Sequence, residues 1–552
     1  MIGPSPLEGT ALGHRLRREV RGEVRLDPHG RGLYATDASI YQVFPLGVVV
    51  PRDAADVQVV LALCREAGIP VLPRGAGTSQ CGQTVGEAVV LDTTKHLRRI
   101  LSVDVPGRVA RVQPGLVLDE LNRALRPYRL FFPVDPSTAS RATLGGMAAN
   151  NSSGARSIRY GNMVHNVRSV EAILADGTQA RFGPAQELEP PAVEGLRRRL
   201  QSLVLREADE IRARFPKVLR RVGGYNLDHL LEPAPNLASI LVGSEGTLAF
   251  FTELELPLQP LPPATALGIC HFPRFRDAMQ VTRELVKLEP VAVELVDRTI
   301  LEGSRRMPEF APVMKRYVQG DPDALLLVEF AGEESAALVP RLEALEERLA
   351  TLGFPGSVVR VLDAPGQAAV WNVRSAGLNI VSNLKGNAKP VSIIEDCAVP
   401  LEHLADYTER LTRVFERHGT RGTWYAHASV GCLHVRPVLD MKSEADLVKL
   451  RAIAEEAFAM VREYGGSHSG EHGDGLVRSE FHAEMFGERL VHAFEEVKDA
   501  FDPRALLNPG KIVRAPRMDD RRLFRYAPGY APLPLPTALD RERATPQVRR
   551  GC

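Results

Sequence analysis

Two stretches of small residues constrain this chain more than anything else in it. Residues 73–79 read P-R-G-A-G-T-S, directly after the apolar pair Val71-Leu72, and residues 143–154 read T-L-G-G-M-A-A-N-N-S-S-G. A loop of Gly75, Ala76, Gly77, Thr78 and Ser79 at the exit of a strand exposes successive backbone N–H groups. Small side chains let that backbone approach an anion such as a pyrophosphate closely. The loop fits neither the G-x-x-x-x-G-K-[ST] nor the G-x-G-x-x-G pattern, so the usual phosphate-loop and dinucleotide folds are not indicated. Taken alone it is as well explained by a tight turn. The second stretch changes the balance, because paired glycines stand beside paired asparagines. Asn offers donors and acceptors together, which suit a polar ring edge or a polyol chain such as a flavin carries.

The framework around these stretches is alternating. Val48-Val49-Val50 reads as a strand ended by Pro51, and Asp53 can cap a helix whose residues Val57, Val60, Leu61 and Cys64 share one face. Gly68 and Pro70 end that helix, and Val71-Leu72 starts the next strand, which makes a β-α-β unit with the glycine loop at its exit. Further strands are expected at 89–91, 109–112, 170–174 and 250–256, with a helix through Leu118, Leu121 and Leu125. The proline-rich run 258–263 marks a boundary. Beyond it the order strand (266–271), helix (275–288), strand (291–296), then strand (324–330), helix (341–352), strand (358–362) predicts an antiparallel sheet with helices on one face, in the ferredoxin-like manner. After Asp440 the chain reads as helical, with a capped turn at 501–509 and an extended tail from Pro516. The expected fold class is α+β, divided into an N-terminal segment 1–42, a cofactor domain 43–258, a cap 259–440, a C-terminal helical part 441–515 that closes on the cofactor, and a tail 516–552.

Bulk properties exclude more than they suggest. With 552 residues the chain exceeds one compact core, and a formal net charge of +1 gives no electrostatic case for nucleic acid. The six cysteines hold no C-x-x-C pair and are too sparse for a disulfide framework, so a reducing, cytoplasmic setting is expected. No run reaches the ~20 apolar residues of a membrane span. Peripheral contact with a membrane is left open.

The second half carries its own chemical cluster. Tyr425-Ala426-His427-Ala428-Ser429-Val430-Gly431-Cys432-Leu433-His434 is followed by Ser469-Gly470-Glu471-His472-Gly473. Two histidines on a β-rich stretch with a carboxylate suit a borderline divalent cation such as zinc. Either histidine alone would more often be a hydrogen-bonded core residue. His468 falls outside the pattern and reads as a bystander. Glu395-Asp396 could orient a metal ligand or simply end a strand.

Residues from about 43 to 258 resemble the FAD-binding domain shared by the vanillyl-alcohol oxidase and p-cresol methylhydroxylase flavoproteins. The matching pieces are P-R-G-A-G-T-S (73–79), V-Q-P-G (112–115), D-P-S-T (135–138), L-G-G-M-A-A-N-N-S-S-G (144–154), R-Y-G (159–161), L-A-D-G-T (174–178), G-S-E-G-T-L (243–248) and, near the end, N-P-G-K (508–511). The resemblance implies that the backbone of Arg74, Gly75, Ala76, Gly77, Thr78 and Ser79 holds the FAD pyrophosphate. It implies that Pro136, Gly145, Gly146, Asn150, Ser153 and Gly154 line the flavin and ribityl chain, and that Asn508 approaches the ring. Covalently flavinylated relatives often carry a His in the first loop; none stands in 74–79, so non-covalent FAD is expected.

The second-half motifs resemble the D-2-hydroxyacid dehydrogenase branch, whose H-x-G-D-G-N-L-H and S-G-E-H-G align with 427–434 and 469–473. By that resemblance His427, His434 and Glu471 are metal ligands and His472 is the general base. Ser429, Val430 and Cys432 depart from the pattern. Arg374 matches the family's arginine and would take the substrate carboxylate as a planar bidentate partner, although a plain salt bridge is as good a reading; Lys389 is a second candidate for a distal carboxylate. The implied reaction is oxidation of a D-2-hydroxy acid, of the D-lactate or D-2-hydroxyglutarate class, to the 2-oxo acid. A metal-held hydroxyl loses its proton to His472 and a hydride passes to the flavin. The electrons would leave to an acceptor protein or a quinone. The variant is closest to a subgroup fused to a C-terminal iron–sulfur region, for which this chain has no cysteine cluster. A flavin subunit that works with an iron–sulfur partner is one alternative, and an oxygen-using alcohol oxidase is another.

Overall fold

A strand whose every side chain is apolar must be covered on both faces, and that rule places the first sheet. In the computed structural model, which describes residues 5–185, 190–526 and 530, Gly47–Val50 is buried throughout and pairs in parallel with Val89–Asp92, which pairs in parallel with Val71–Arg74. Glu23–Arg25 adds an antiparallel edge, so the N-terminal segment is part of this sheet. The crossover helix Ala54–Ala67 starts where the Asp53 carboxylate accepts the Ala55 and Asp56 amides and stops at Gly68 in the left-handed region. The chain leaves Val71–Arg74 directly into the small-residue loop.

The next sheet is antiparallel and five-stranded, in the order Ile100–Asp104, Val109–Val112, Phe250–Pro257, Ser169–Ile173, Gln179–Phe182. Between its strands the chain inserts the helix Leu144–Asn150, which begins the second small-residue stretch. Its start is hydrogen-bonded to the V-Q-P-G turn: the Gly145 amide donates to the Pro114 carbonyl at 2.8 Å and the Leu144 amide to Leu116 at 2.9 Å. The two stretches thus come from different sheets and meet at a shared edge.

Beyond residue 263 the strands Val358–Val361, Ala264–Phe272, Ala324–Gly332 and Ala292–Asp297 lie side by side and antiparallel in the ferredoxin-like order. Two features differ from the sequence expectation. Helices cover both faces, not one: Phe275–Leu285 and Ser335–Thr351 pack on the face of Cys270, Leu326 and Val328, while Arg298–Arg306, Ala311–Tyr317 and Ala364–Ser375 cover Leu267, Ile269, Leu325 and Leu327. The cause is visible in Ala324–Phe330, seven buried residues without polar alternation, which leaves no face fit for water. The sheet is also longer, because the hairpin Gly422–His427 and Cys432–Leu439 continues it beside Ala292–Asp297.

Of the C-terminal helices, Glu444–Glu463 packs on the cap, against Leu404–Arg417 and Cys432–Leu439, while Glu488–Phe501 packs back against the first half, on Pro191–Arg206 and Ala208–Arg214. Lys498 is the strongest tie. Its buried ammonium donates to the Thr247 carbonyl at 2.6 Å, to Leu507 at 2.8 Å and to Asp502 at 2.6 Å, and Asp502 accepts the Leu506 and Leu507 amides. Residues 516–526 of the expected tail are docked, not extended. Met518 and Phe524 are buried, the Tyr41 hydroxyl donates to the Met518 carbonyl at 2.8 Å, and Phe524 bridges to Tyr41. Two apolar side chains spaced across a short turn suffice to dock that segment. The remainder of the expected tail lies outside the described residues. Among the described residues no helix is long and apolar enough to cross a membrane.

Removing one partner of a buried, hydrogen-bonded ion pair leaves an uncompensated charge, at a cost of about 3–5 kcal/mol. Lys498→Met should therefore lower the urea midpoint of unfolding strongly, while a surface control such as Lys287→Met leaves it within about 0.5 kcal/mol of the parent.

Candidate functional site

The two small-residue stretches enclose a cleft of about 1200 Å³, open mouth included. Residues 73–80, Pro136, Gly145, Gly146, Asn150 and Ser153 line it, and at its far end stand Glu471 and His472. The loop 75–79 offers donors to whatever fills the cleft: among the described residues none accepts a hydrogen bond from the amides of Gly75 through Ser79. Gly77 bends the loop with φ at +67°. Arg74 contributes backbone only, because its guanidinium turns away to the carbonyls of Tyr34, Thr36 and Thr84. Gly145 has no room for a side chain, since a Cβ there would lie 2.4 Å from Pro114 Cβ. This row of unpaired amides beside a backbone that can be approached closely fits the pyrophosphate of FAD.

Two of the expected cofactor residues stand back from the cleft. Gly154 packs against Asp135 and gives its carbonyl to Arg220 at 3.0 Å. Asn508 is buried and donates to the carbonyls of Gln83 and Glu245 at 3.0 and 2.7 Å, which ties three loops behind the cleft wall.

At the far end of the cleft the cap supplies the histidines. In the hairpin register His427 faces Cys432, so His434, two residues on, is its diagonal neighbour on the same face. The loop 469–473 brings Glu471 between them. Its carboxylate lies 3.4 Å from His427 Nε2, 3.0 Å from His434 Nε2 and 3.0 Å from His472 Nε2, and it also pairs with the wholly buried Arg220. His427, His434 and Glu471 offer donor atoms within 4.8 Å of one another. The cleft and this cluster are one site, because Asn150 donates to the Glu471 carbonyl at 2.7 Å and Ser153 to its carboxylate at 3.4 Å.

The three imidazoles differ in what holds their other nitrogen. His427 Nδ1 meets Glu294 at 2.8 Å, and the other oxygen of Glu294 takes Arg374 Nη2 at 2.6 Å. His472 Nδ1 meets Glu395 at 3.0 Å, while Asp396 accepts the Glu471 and His472 amides at 2.9 and 2.6 Å. His434 Nδ1 finds no partner among the described residues. The titrations follow. Burial pushes His434 down to about 3. Burial also opposes the charge on His472, but Glu395 and Glu471 outweigh it and lift this group to about 10. In the same way Glu294 and Glu471 outweigh burial at His427 and raise it. Glu471 is driven well below the usual carboxylate range: burial works the other way, and His427, Arg220, His434 and His472 overcome it.

Of the residues read from the sequence, Arg374 reaches the cluster through Glu294, with its Nε buried and unpartnered among the described residues. Lys389 does not join it; it is exposed at the sheet edge and bonded to the Leu384 carbonyl. Glu395 lies 3.0 Å from His472 Nδ1, and Glu395, His434 and His472 also offer donor atoms within 4.8 Å of one another. Glu294 and Arg220 were not legible: a single Glu in a strand and an Arg in a loop match no pattern. For Glu294 the signal could have been a lone carboxylate in an otherwise apolar run, A-V-E-L-V.

The chain matches two family models, an FAD binding domain over residues 45–183 and the C-terminal domain of FAD linked oxidases over 261–512. It is 35% identical to a D-2-hydroxyglutarate dehydrogenase of Pantoea ananatis over 87% of this chain and 49% of that protein. It is 31% identical to a D-lactate dehydrogenase of Archaeoglobus fulgidus over 85% of this chain and 91% of that protein. The chain thus spans about half the length of the curated relatives it matches at 35% identity. Among solved structures, p-cresol methylhydroxylase superposes with a TM-score of 0.68 at 16% identity, covering 93% of this chain and 98% of that one, and shares the fold.

Glu294 balances two neighbours at once. Glu294→Ala should cost about 3–5 kcal/mol by leaving Arg374 buried and unpaired. Glu294→Gln, which keeps a hydrogen-bonding group toward His427, should cost less. Urea unfolding of the two variants beside the parent measures the difference.

Proposed function

The chain belongs to the FAD linked oxidase family, and from that premise we propose that it oxidises a D-2-hydroxy acid of the D-2-hydroxyglutarate class to the 2-oxo acid, passing the electrons to an acceptor protein or quinone. One observation carries the reading: Asn150 and Ser153, on the cleft wall, hydrogen-bond Glu471, the carboxylate around which His427, His434 and His472 gather. A flavin in the cleft and an alcohol at the cluster would be neighbours. The names and identities of the relatives support the substrate class.

FAD, held without a covalent bond at the amides of 75–79, supplies the hydride acceptor. His427, His434 and Glu471 would hold a divalent cation, zinc by the donor set, whose chemistry is to acidify a bound hydroxyl. His472 takes the hydroxyl proton at Nε2, while Glu395, 3.0 Å from Nδ1, pairs with the ring once it is charged. Arg374, held by Glu294, is the arginine that would take the substrate carboxylate. With both carboxylates charged His472 keeps its proton to about pH 10, and a base must be neutral. A dication on Glu471 cancels one of those charges and lowers that value. Glu395 remains to raise it and burial to lower it, so the ring loses its proton below pH 10.

Four outcomes test this. Anaerobic mixing with D-2-hydroxyglutarate should bleach the flavin, and the L enantiomer should not; bleaching by neither D-2-hydroxyglutarate nor D-lactate would sink the proposal. The rate of bleaching should rise with pH from neutral into the alkaline range, since the neutral imidazole is the active form. His472→Asn should lower it by about 10²–10⁴-fold and remove that rise. Gly145→Val, which forces a side chain against Pro114, should purify with much less bound flavin, read from its visible absorbance.

A further inference from the structure

A second histidine cluster lies behind the first, and the proposed reaction does not use it. His468 and Asp474 stand on either side of Glu471-His472 in the same loop, and His482 reaches them from the helix His482–Phe486. All three are at most 1% exposed. Asp474 Oδ1 lies 3.1 Å from His482 Nε2 and 3.5 Å from His468 Nε2, and the three residues offer donor atoms within 4.8 Å of one another.

These contacts are too poorly directed to be hydrogen bonds. Both ring nitrogens of His468, both of His482 and Asp474 Oδ1 find no hydrogen-bond partner among the described residues, despite full burial. Phe458 and Phe486 pack on His468, and Phe486 and Phe494 on His482, so the walls are aromatic. Buried polar atoms left unpaired in such a place cost about 1–3 kcal/mol each, and a group of them calls for a common partner. Their spacing says which kind. Donors bound at about 2.0–2.1 Å to a tetrahedral ion sit roughly 3.3 Å apart, with their lone pairs aimed between one another instead of along the line joining them. The distances of 3.1 and 3.5 Å, and the absence of directed hydrogen bonds, match that pattern. Asp474 is fixed for the task, as its Oδ2 accepts the Gly224 amide at 2.8 Å. Gly223 leaves room for the His468 ring, since a Cβ there would lie 2.8 Å from Cε1.

We propose that His468, Asp474 and His482 form a second, structural cation site for a borderline divalent ion such as zinc, which clamps both ends of the loop bearing Glu471 and His472. The ion replaces the missing hydrogen-bond partners and neutralises Asp474. It touches neither the cleft nor the substrate.

The test is an ion count. The full chain with its flavin is stripped by a chelator, reloaded with excess Zn²⁺, desalted, and weighed by native mass spectrometry. The parent should carry two ions. His434→Ala, which breaks the cleft-side ligand set, should keep one, and its retention of none would overturn the proposal. His482→Phe, which preserves the ring volume among Phe486 and Phe494, should lose one ion and keep its flavin; an unchanged count would overturn the proposal as well. Should His482→Phe fail to fold, the count in His434→Ala decides alone. If His434→Ala left the count unchanged while His482→Phe lowered it, the cleft-side assignment would fail and this one would stand.

Discussion

The buried carboxylate of Glu471 is the group on which the architecture turns. An isolated carboxylate taken out of water costs far more than a domain's net stability, so it must be met from several sides at once. Here it is met by His427 and His434 from the cap, His472 from its own loop, Arg220 from the segment before the second sheet ends, and Ser153 from the cleft wall. No single element supplies enough. The cap, the C-terminal loop and the cofactor domain therefore satisfy this charge together or not at all, which couples assembly of the site to assembly of the molecule.

The cap is built to deliver its share. Adding the hairpin 422–439 to a ferredoxin-like sheet sets Glu294 directly opposite His427 in register. The carboxylate that aligns the imidazole thus comes from the neighbouring strand and is held in turn by Arg374 on a covering helix. An oriented carboxylate behind a ligating histidine fixes its tautomer and raises its basicity. The helices on the second face of the sheet, which periodicity alone did not place, are what position Arg374. Covering an apolar sheet and supporting the site are in this region the same act.

What could be read from the sequence was local, and what could not was long-range. The loop 73–79, the helix cap at Asp53 and the strand limits follow from residues a few positions apart, where turn chemistry and periodicity are informative, whereas Glu471, 37 positions beyond His434, joins the histidines through the motif and the family resemblance. Glu294, Arg220 and the setting of His472 by Glu395 depend on contacts across 133, 251 and 77 positions (294 to 427, 220 to 471, 395 to 472), and no local rule reaches that far. His468 shows the limit most clearly. It falls outside the recognisable motif and reads as a bystander, yet it is wholly buried with both ring nitrogens unpaired. Pattern matching ranks a histidine by its neighbours in sequence, whereas its chemistry is set by its neighbours in space.

The three imidazoles around Glu471 carry that point into mechanism. Each faces the same carboxylate, so their shared neighbour cannot separate their roles; the partner of the opposite nitrogen does. His434 has none, and burial keeps it neutral down to about pH 3. His427 has Glu294, which steers a ring that is otherwise free to turn. His472 has Glu395, a carboxylate paired with Arg436 and wholly buried, which holds a proton on the ring more firmly than water would. A group that binds its proton strongly becomes a good base when its charge balance shifts, and in the reaction we propose the carboxylate it shares with His427 and His434 is the lever for that shift. One residue type, one common neighbour and three different backings thus suffice to give three imidazoles of different basicity.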